Sequence, residues 1–177
     1  NGAIHKKAHY LHNVENGSFT WYNPNGALIA LRTYSYGILV GPFEDYNNEG
    51  VLKLKGNCLA GKRSGAFISY YVDGAKEEEG TFNFDKRDGL SKHFYKEGQL
   101  EYTLNYKAGQ LLNDGSLKVY YPSGNVKKEE NYKKGIRTGN WKSYYENGKL
   151  KEEGSLKNKN EQGTLIEYHP NGNLMSI

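Results

Sequence analysis

The sequence has few of the residues that usually build a compact core or a covalent framework. Among its 177 residues are one cysteine, one methionine and four prolines, and hydrophobic residues make up 36%. The single cysteine, Cys58, excludes a disulfide bond within the chain, and we interpret it as a packing residue. No apolar run approaches the roughly 20 residues of a membrane-spanning helix.

The usual sequence signals of catalysis are missing as well. No nucleophile, base and orienting residue stand in a recognisable arrangement, and no phosphate-cradling loop or metal-ligand spacing occurs. His5, His9 and His12 lie close together, but on an extended strand their rings would not converge on one metal ion. We therefore predict a protein that is not an enzyme and has no metal site or cofactor.

Charge restricts the partner less strongly. The net charge is +4 and the isoelectric point about 8.9. The 20 acidic residues are dispersed among the 24 basic ones, which would interrupt a groove that follows a phosphate backbone. An acidic partner or an anionic membrane is therefore favoured over nucleic acid.

Glycine and tyrosine are abundant, with 22 and 16 residues, and they recur in a repeat. Seven turn glycines, here called anchors, are 24 residues apart except for one step of 26: Gly26, Gly50, Gly74, Gly98, Gly124, Gly148 and Gly172. Four residues before them stand Tyr22, Tyr46, Tyr70, Phe94, Tyr120, Tyr144 and Tyr168. A second glycine closes each unit, at Gly17, Gly41, Gly65, Gly89, Gly115, Gly139 and Gly163. The spacing predicts a single repeat domain over residues 1–177, with a partial unit at 1–16.

Each unit is predicted to be a β-hairpin. The anchors end triplets such as Pro-Asn-Gly, which suit a three-residue loop with a left-handed last position. This loop would place the aromatic residue four before each anchor opposite the residue two after it, as in Tyr22 opposite Leu28. Beyond the turn, apolar and charged residues alternate, which predicts a dry face and a wet face. A Phe, Trp or Leu usually lies three residues before the aromatic position, so either a bulge intervenes or both faces carry rings.

Two groups of residues are candidate binding sites. Leu111 and Leu112 belong to a longer second loop, Gln110 to Asp114, and either pack back on the sheet or contact a partner. Three residues before the anchors, Asn23 and Asn47 give way to a tyrosine row: Tyr71, Tyr95, Tyr121 and Tyr145. Because the fold does not require this second ring, the row is a candidate recognition surface. The alternative is that the tyrosines shield the second face of the sheet.

The pattern Tyr-Tyr-x-x-Gly-x-Leu-x-x-Glu, clearest from Tyr120 to Gly135 and from Tyr144 to Gly154, resembles the bacterial variant of the MORN repeat. The resemblance covers nearly the whole chain and implies a single-layer twisted antiparallel sheet of successive hairpins. With the spacing, it predicts an all-β fold, an elongated meander of about seven 24-residue hairpin repeats. The resemblance also implies protein binding, lipid or membrane attachment, or an antitoxin-like role.

Three functions remain open at this point. The first is a non-catalytic scaffold for protein–protein interaction or for surface or membrane attachment. The second is a glycan- or choline-binding cell-wall module, in which rings stack on sugars or enclose a quaternary ammonium. The third is an antitoxin or immunity-like protein that neutralises a toxin partner. Oligomerisation through the sheet edges is a further expectation. The chain begins with Asn1 rather than methionine, which we interpret as a processed or trimmed form and as a weak indication of export to the periplasm or cell surface.

Overall fold

A computed structural model describes residues 3–112, 115–133, 136–156 and 163–176. These residues form β-strands and turns, and no helix occurs among them. The chain divides into two compact units, Asn1–Gly89 and Leu90–Ile177. The all-β hairpin architecture is confirmed, whereas the single domain over residues 1–177 stays a prediction.

The first unit is an open antiparallel sheet in which each long strand pairs with the next one along the chain. Its strands are β1 (Lys6–Lys7), β2 (Tyr10–Leu11), β3 (Val14–Glu15), β4 (Gly17–Tyr22), β5 (Leu28–Ser35), β6 (Ile38–Leu39), β7 (Gly41–Tyr46), β8 (Leu52–Leu59), β9 (Lys62–Tyr70), β10 (Lys76–Asn83) and β11 (Lys86–Arg87). Strand β1 pairs with β4, and β2 and β3 form a small hairpin of their own. Three short strands, β1 to β3, therefore precede the first long hairpin, and the partial unit expected at residues 1–16 stays a prediction.

The second unit repeats this arrangement. Its strands are β12 (Gly89–Phe94), which begins at the last residue of the first unit, β13 (Leu100–Lys107), β14 (Gln110–Leu111), β15 (Gly115–Tyr120), β16 (Val126–Lys133), β17 (Ile136–Arg137), β18 (Gly139–Tyr144), β19 (Leu150–Leu156), β20 (Leu165–Tyr168) and β21 (Leu174–Ser176). Of the loop predicted from Gln110 to Asp114, the part Gln110–Leu111 is a strand, so this loop prediction was wrong there. Residues 113–114 lie outside the described ranges.

The anchored turns have the predicted geometry. In the first, the Asn23 N–H donates to the Ala27 carbonyl and the Gly26 N–H to the Asn23 carbonyl, each at 2.9 Å. Gly26 has a φ of 85°, which is left-handed and favours glycine. The predicted register is confirmed, since Tyr22 pairs with Leu28. Five further hairpins have the same register: Tyr46 with Leu52, Tyr70 with Lys76, Tyr120 with Val126, Tyr144 with Leu150 and Tyr168 with Leu174.

A bulge follows each of these turns, on the second strand of the hairpin. In the first hairpin, Trp21 pairs with Ala30 while the next residue, Tyr22, pairs with Leu28, so Ile29 is the extra residue. Because the first strand has no extra residue, Phe19 and Tyr22 keep opposite parity. Both faces of the sheet therefore carry rings, and the division into a dry and a wet face was too simple.

The cations of β1 show the two faces directly. The ammonium of Lys6 lies 4.8 Å from the ring centre of Phe19 and 5.5 Å from that of Trp21. The ammonium of the next residue, Lys7, lies 5.5 Å from the ring centre of Tyr22. Successive residues of a strand point to opposite faces, so the two lysines cover rings on opposite faces.

A second kind of turn, not predicted from the sequence, joins the other ends of the strands. Ser35 pairs with Ile38, which leaves Tyr36 and Gly37 as a two-residue turn with φ values of 49° and 78°. Positive φ at both central residues is the type I′ geometry that matches the twist of a hairpin. Four further pairs have it: His12–Asn13, Ala60–Gly61, Phe84–Asp85 and Ala108–Gly109. The two turn types therefore alternate along the chain.

The core of the first unit consists of rings that lie across neighbouring strands. Phe19, Phe43 and Phe67 are 0%, 1% and 2% exposed, and Cys58 is buried among the same strands. Phe43 pairs with Gly56, where a Cβ atom would lie 2.9 Å from the Phe43 Cε1 atom. The absence of a side chain at Gly56 is what allows the ring to lie flat on the neighbouring strand. The same contact occurs in the second unit between Trp141 and Gly154.

Candidate binding surface

The tyrosine row begins at the anchored turns. Tyr71, Tyr95, Tyr121 and Tyr145 are each the first residue of such a turn, with the N–H bonded across it, and all four are half-buried. In the second unit the phenol groups reach the next repeat: Tyr95 donates to the Tyr120 carbonyl, Tyr121 to the Tyr144 carbonyl and Tyr145 to the Tyr168 carbonyl, at 2.8 to 2.9 Å. These tyrosines therefore join successive repeats, and their role in recognition stays a prediction.

Asparagine at the same position acts differently. The side-chain oxygen of Asn23 accepts from the N–H groups of Asn25 and Ala27, both at 2.9 Å, and thereby stabilises its own turn. Its amide group donates to the Asn48 carbonyl of the next turn at 2.6 Å. Asn47 makes the same two bonds within its turn, to Glu49 and Val51. Either residue type can therefore serve the fold at this position.

Leu111 and Leu112 line a concavity of the second unit with a volume of about 400 Å³. They are 39% and 44% exposed. Leu90, Leu104 and Leu117 contribute to the same walls. The polar side chains at the site are those of Thr103, Asn105, Ser116 and Tyr132, and among the described residues the lining contains no charged side chain. An apolar concavity with a few polar groups suits an inserted apolar side chain or small ligand.

One face of the second unit carries a lattice of lysine, glutamate and tyrosine. Glu129 lies 2.6 Å from the Lys118 ammonium and accepts from the Tyr144 phenol at 3.3 Å. Glu153 accepts from the Tyr168 phenol at 2.8 Å and lies 3.3 Å from the Lys142 ammonium. The hydrogen bond from Lys118 holds the pKa of Glu129 below its usual range, and that from Tyr168 does the same for the pKa of Glu153. This face is ionised at neutral pH and its charges are paired.

In the first unit, the Tyr46 phenol donates to the Glu44 carboxylate. Burial, together with this carboxylate, raises the pKa of Tyr46 to about 12. The phenol therefore stays protonated at neutral pH and donates to the Glu44 carboxylate.

The repeats match a known family model. The model is that of the MORN repeat variant, and it matches residues 15–36, 87–108, 113–134, 137–158 and 161–177, together more than half of the chain. The chain belongs to the MORN repeat variant family. A search of curated proteins found no match. The match indicates a repeat module for protein or membrane interaction, of a kind that is generally a non-catalytic scaffold.

The MORN hairpins extend through residues that the family model does not match. Residues 37–86 lie outside the matched segments, yet Tyr46 pairs with Leu52 and Tyr70 with Lys76 in the same register as in the matched repeats. Fold similarity therefore continues where the family pattern weakens. Within the described ranges, no helix has the length and apolar character to cross a membrane.

The concavity recurs at equivalent MORN positions. A smaller one of about 270 Å³ is lined by Pro42, Gly56 and Ala66 in the first unit, and another of the same size by Asn140, Gly154 and Thr164 in the second. At the corresponding places the concavity lined by Leu111 and Leu112 has Leu90, Leu104 and Ser116. The larger site is therefore a leucine-rich version of a feature that the repeat generates.

Sequence reasoning missed Leu90, Leu104 and Leu117 as members of this site. A signal for two of them was present, because Leu104 stands where the two preceding repeats have Gly56 and Gly80, and Leu117 where most repeats have Phe or Trp. Ser91, which also departs from the ring position, is buried in the same repeat. A cluster of departures from the repeat pattern was the available indication of a specialised site.

Proposed function

We propose that this protein is a non-catalytic MORN-repeat scaffold that binds another protein through the leucine concavity of its second unit. The observation that supports this proposal is the exposure of Leu90, Leu111 and Leu112 around one apolar concavity. Apolar side chains that line a pocket are typical anchoring sites for a partner's aromatic or aliphatic residue. The described part of the lining is uncharged, which favours apolar anchoring over recognition of a charged group.

The tyrosine row is proposed as a second part of the interface, at the anchored-turn ends of the strands. Tyr95, Tyr121 and Tyr145 are half-buried, so part of each ring stays accessible while its hydroxyl is held by the next repeat. Rings fixed in this way lose little conformational entropy when a partner binds.

Protein binding is also favoured over choline or glycan binding because the chain's own cations already cover several rings. Arg137 lies 4.5 Å from the ring centre of Trp141, and Arg32 lies 5.5 Å from that of Phe43.

The test uses the purified chain as bait for a quantitative pull-down from the source cell. The double variant Leu111→Ser, Leu112→Ser should capture about one tenth or less of the partner protein that the wild type captures, because two apolar anchors are lost. The matched control is Leu174→Ser, Met175→Ser, which removes an adjacent pair of similarly exposed apolar residues, 52% and 50%, away from the concavity.

Equal retention by the two double variants would contradict the proposed site. Circular dichroism and thermal unfolding should show that both variants remain folded, since both pairs are on the surface. A fully folded wild type that retains no protein above the background of the resin would contradict the scaffold function itself.

A further inference from the structure

Large apolar side chains project from the type I′ turns of the first unit, and neither the fold nor the concavity accounts for them. Tyr36 is 73% exposed, Ile38 52%, Leu59 58% and Phe84 49%. Leu11 and Val14 continue the set at the first of these turns, with 43% and 40%. We call these residues the turn ridge: Leu11, Val14, Tyr36, Ile38, Leu59 and Phe84.

Hydrogen bonds between neighbouring turns hold the turn ridge as a continuous row. The Gly37 N–H donates to the Glu15 carbonyl at 2.8 Å, and the Gly61 N–H to the Leu39 carbonyl at 2.9 Å. The Asp85 N–H donates to the Arg63 carbonyl at 2.9 Å. Successive turns are two strands apart, which corresponds to about 10 Å along the edge of the sheet. The apolar tips are therefore regularly spaced on a rigid support.

Two of the tips are in an unfavourable backbone conformation. Tyr36 has a φ of 49° and Phe84 a φ of 48°. The first position of a type I′ turn favours asparagine, aspartate or glycine, and a bulky ring there is strained. The anchored turns at the other edge are more polar, with Asn25, Asn48, Glu49 and Asp73 beside Pro24 and Val72. Strain at an exposed aromatic residue, where a better turn residue is available, indicates selection for binding rather than for folding.

Unpaired cations accompany the apolar tips. Lys62 and Lys86 occupy in the third and fourth turns the place of Ile38 in the second, and both are exposed. Within the part of the chain that the structure describes, neither ammonium forms an ion pair. Asp85 lies near Lys62, but its carboxylate accepts from the backbone N–H and the side chain of Arg63, at 3.0 and 3.1 Å. These two bonds hold the pKa of Asp85 below its usual range. The turn ridge is therefore apolar and flanked by the positive charges of Lys62 and Lys86.

The spacing and the charge together point to one kind of occupant. An α-helix rises 1.5 Å per residue, so residues seven apart are about 10.5 Å apart, which matches the spacing of the turns. A helix that crosses the strand ends could place one apolar residue at each turn and acidic residues beside Lys62 and Lys86. We propose that the turn ridge binds an acidic amphipathic helix of a partner protein. This inference rests on the proposed protein-binding function but concerns a separate surface in the first unit.

The probe is a synthetic 22-residue helical peptide with leucines at a seven-residue spacing and glutamates on both sides of that stripe. Titrated into the isotope-labelled chain, it should shift the amide resonances of residues 36–38, 59–62 and 84–86. A peptide with the same composition but a scrambled stripe should bind at least about tenfold more weakly. Replacing its glutamates by lysines should weaken binding by a similar factor.

The decisive variant is Tyr36→Asn, Phe84→Asn. Asparagine suits the left-handed position, so the variant should melt at the same temperature as the wild type or higher. It should nevertheless bind the peptide at least about tenfold more weakly. The matched control, Ala60→Asn, changes the same turn position in the neighbouring hairpin without removing an apolar tip and should bind normally.

Each alternative outcome overturns the inference. Equal affinity for the striped and scrambled peptides would do so, as would undiminished binding by the double variant or no saturable binding at millimolar peptide. Cosedimentation with phosphatidylserine-containing vesicles that the double variant abolishes, without peptide binding, would assign the turn ridge to a bilayer instead. None of these results affects the concavity, which is tested by variants in the second unit.

Discussion

At the level of single residues, the fit of a ring onto a glycine holds neighbouring strands together. Gly56→Ala would place a Cβ atom 2.9 Å from the Phe43 Cε1 atom and 3.1 Å from the Ala66 carbonyl oxygen. Neither atom can move without displacing a buried ring or a strand. We expect a loss of about 1 to 3 kcal/mol in the free energy of unfolding, measured by urea denaturation.

The companion variant for this prediction is Phe43→Leu. In the Phe43→Leu background, Gly56→Ala should lower the free energy of unfolding by less than it does in the wild type, because the smaller side chain leaves the Cβ atom more room. Independent, additive effects of the two substitutions would show that the ring and the glycine are not coupled.

At the level of elements, one phenol hydroxyl group per repeat adds a hydrogen bond between successive repeats in part of the second unit. The Tyr121 phenol donates to the Tyr144 carbonyl at 2.9 Å. Tyr121→Phe removes this bond and keeps the ring, so we expect a loss of about 0.5 to 1.5 kcal/mol in the free energy of unfolding. Hydrogen exchange should report faster opening of the hairpin of β18 and β19.

Tyr121→Ser removes both the bond and the ring, and its difference from Tyr121→Phe isolates the contribution of the ring. If the phenylalanine variant binds a partner normally and the serine variant does not, while both stay folded, the ring is part of the interface. Identical stability of the wild type and Tyr121→Phe would show that the hydroxyl contributes nothing to the joining of repeats.

The anchored hairpins could be predicted from the sequence to the residue, because glycine at a left-handed position fixes both the loop and the register. The type I′ turns could not. The dipeptide Asn-Gly would have indicated such turns. The chain instead has Tyr36–Gly37 and Phe84–Asp85, whose first residues disfavour the positive φ that the turn requires. Gln110–Leu111 was assigned to a loop because a two-residue strand is too short to show alternation.

The proposed binding site was predictable only in part. Leu111 and Leu112 were conspicuous as adjacent leucines where a loop was expected, and the structure places them at the concavity. Their neighbours come from other strands, and which side chains meet there depends on the bulges, which shift the pairing by one residue. The phenol-to-carbonyl bonds of Tyr95 and Tyr121 were not visible either, because a repeat pattern gives positions and not the reach of side chains.

For the whole molecule, the paired glutamates make stability depend on pH. In the folded protein, Glu129 and Glu153 have pKa values below those of unfolded chains. The pKa of Glu130 is also lowered, although burial opposes this, because Lys128 and Tyr132 bond to its carboxylate. A lowered folded pKa stabilises the fold above the unfolded pKa, and this stabilisation is lost as pH falls through the folded value.

We therefore expect the urea midpoint to be constant near neutral pH and to fall from about pH 4.5 downward. Glu153→Gln should be less stable than the wild type at pH 7 and should lose less stability on acidification, because one of the linked groups is gone. An equal loss in the wild type and the variant between pH 6 and pH 3 would contradict this assignment.

The 26-residue step contains two extra residues, and the backbone pairing on either side of them is the same as in an ordinary repeat. On one side, the Leu112 N–H donates to the Asn105 carbonyl, as the Val40 N–H does to the Thr33 carbonyl in an ordinary repeat. On the other, Tyr102 pairs with Val119 in the register that Ala30 and Asp45 show. The junction before each second glycine is thus a point at which evolution, or a protein engineer, can splice in foreign sequence and leave the pairing on both sides unchanged.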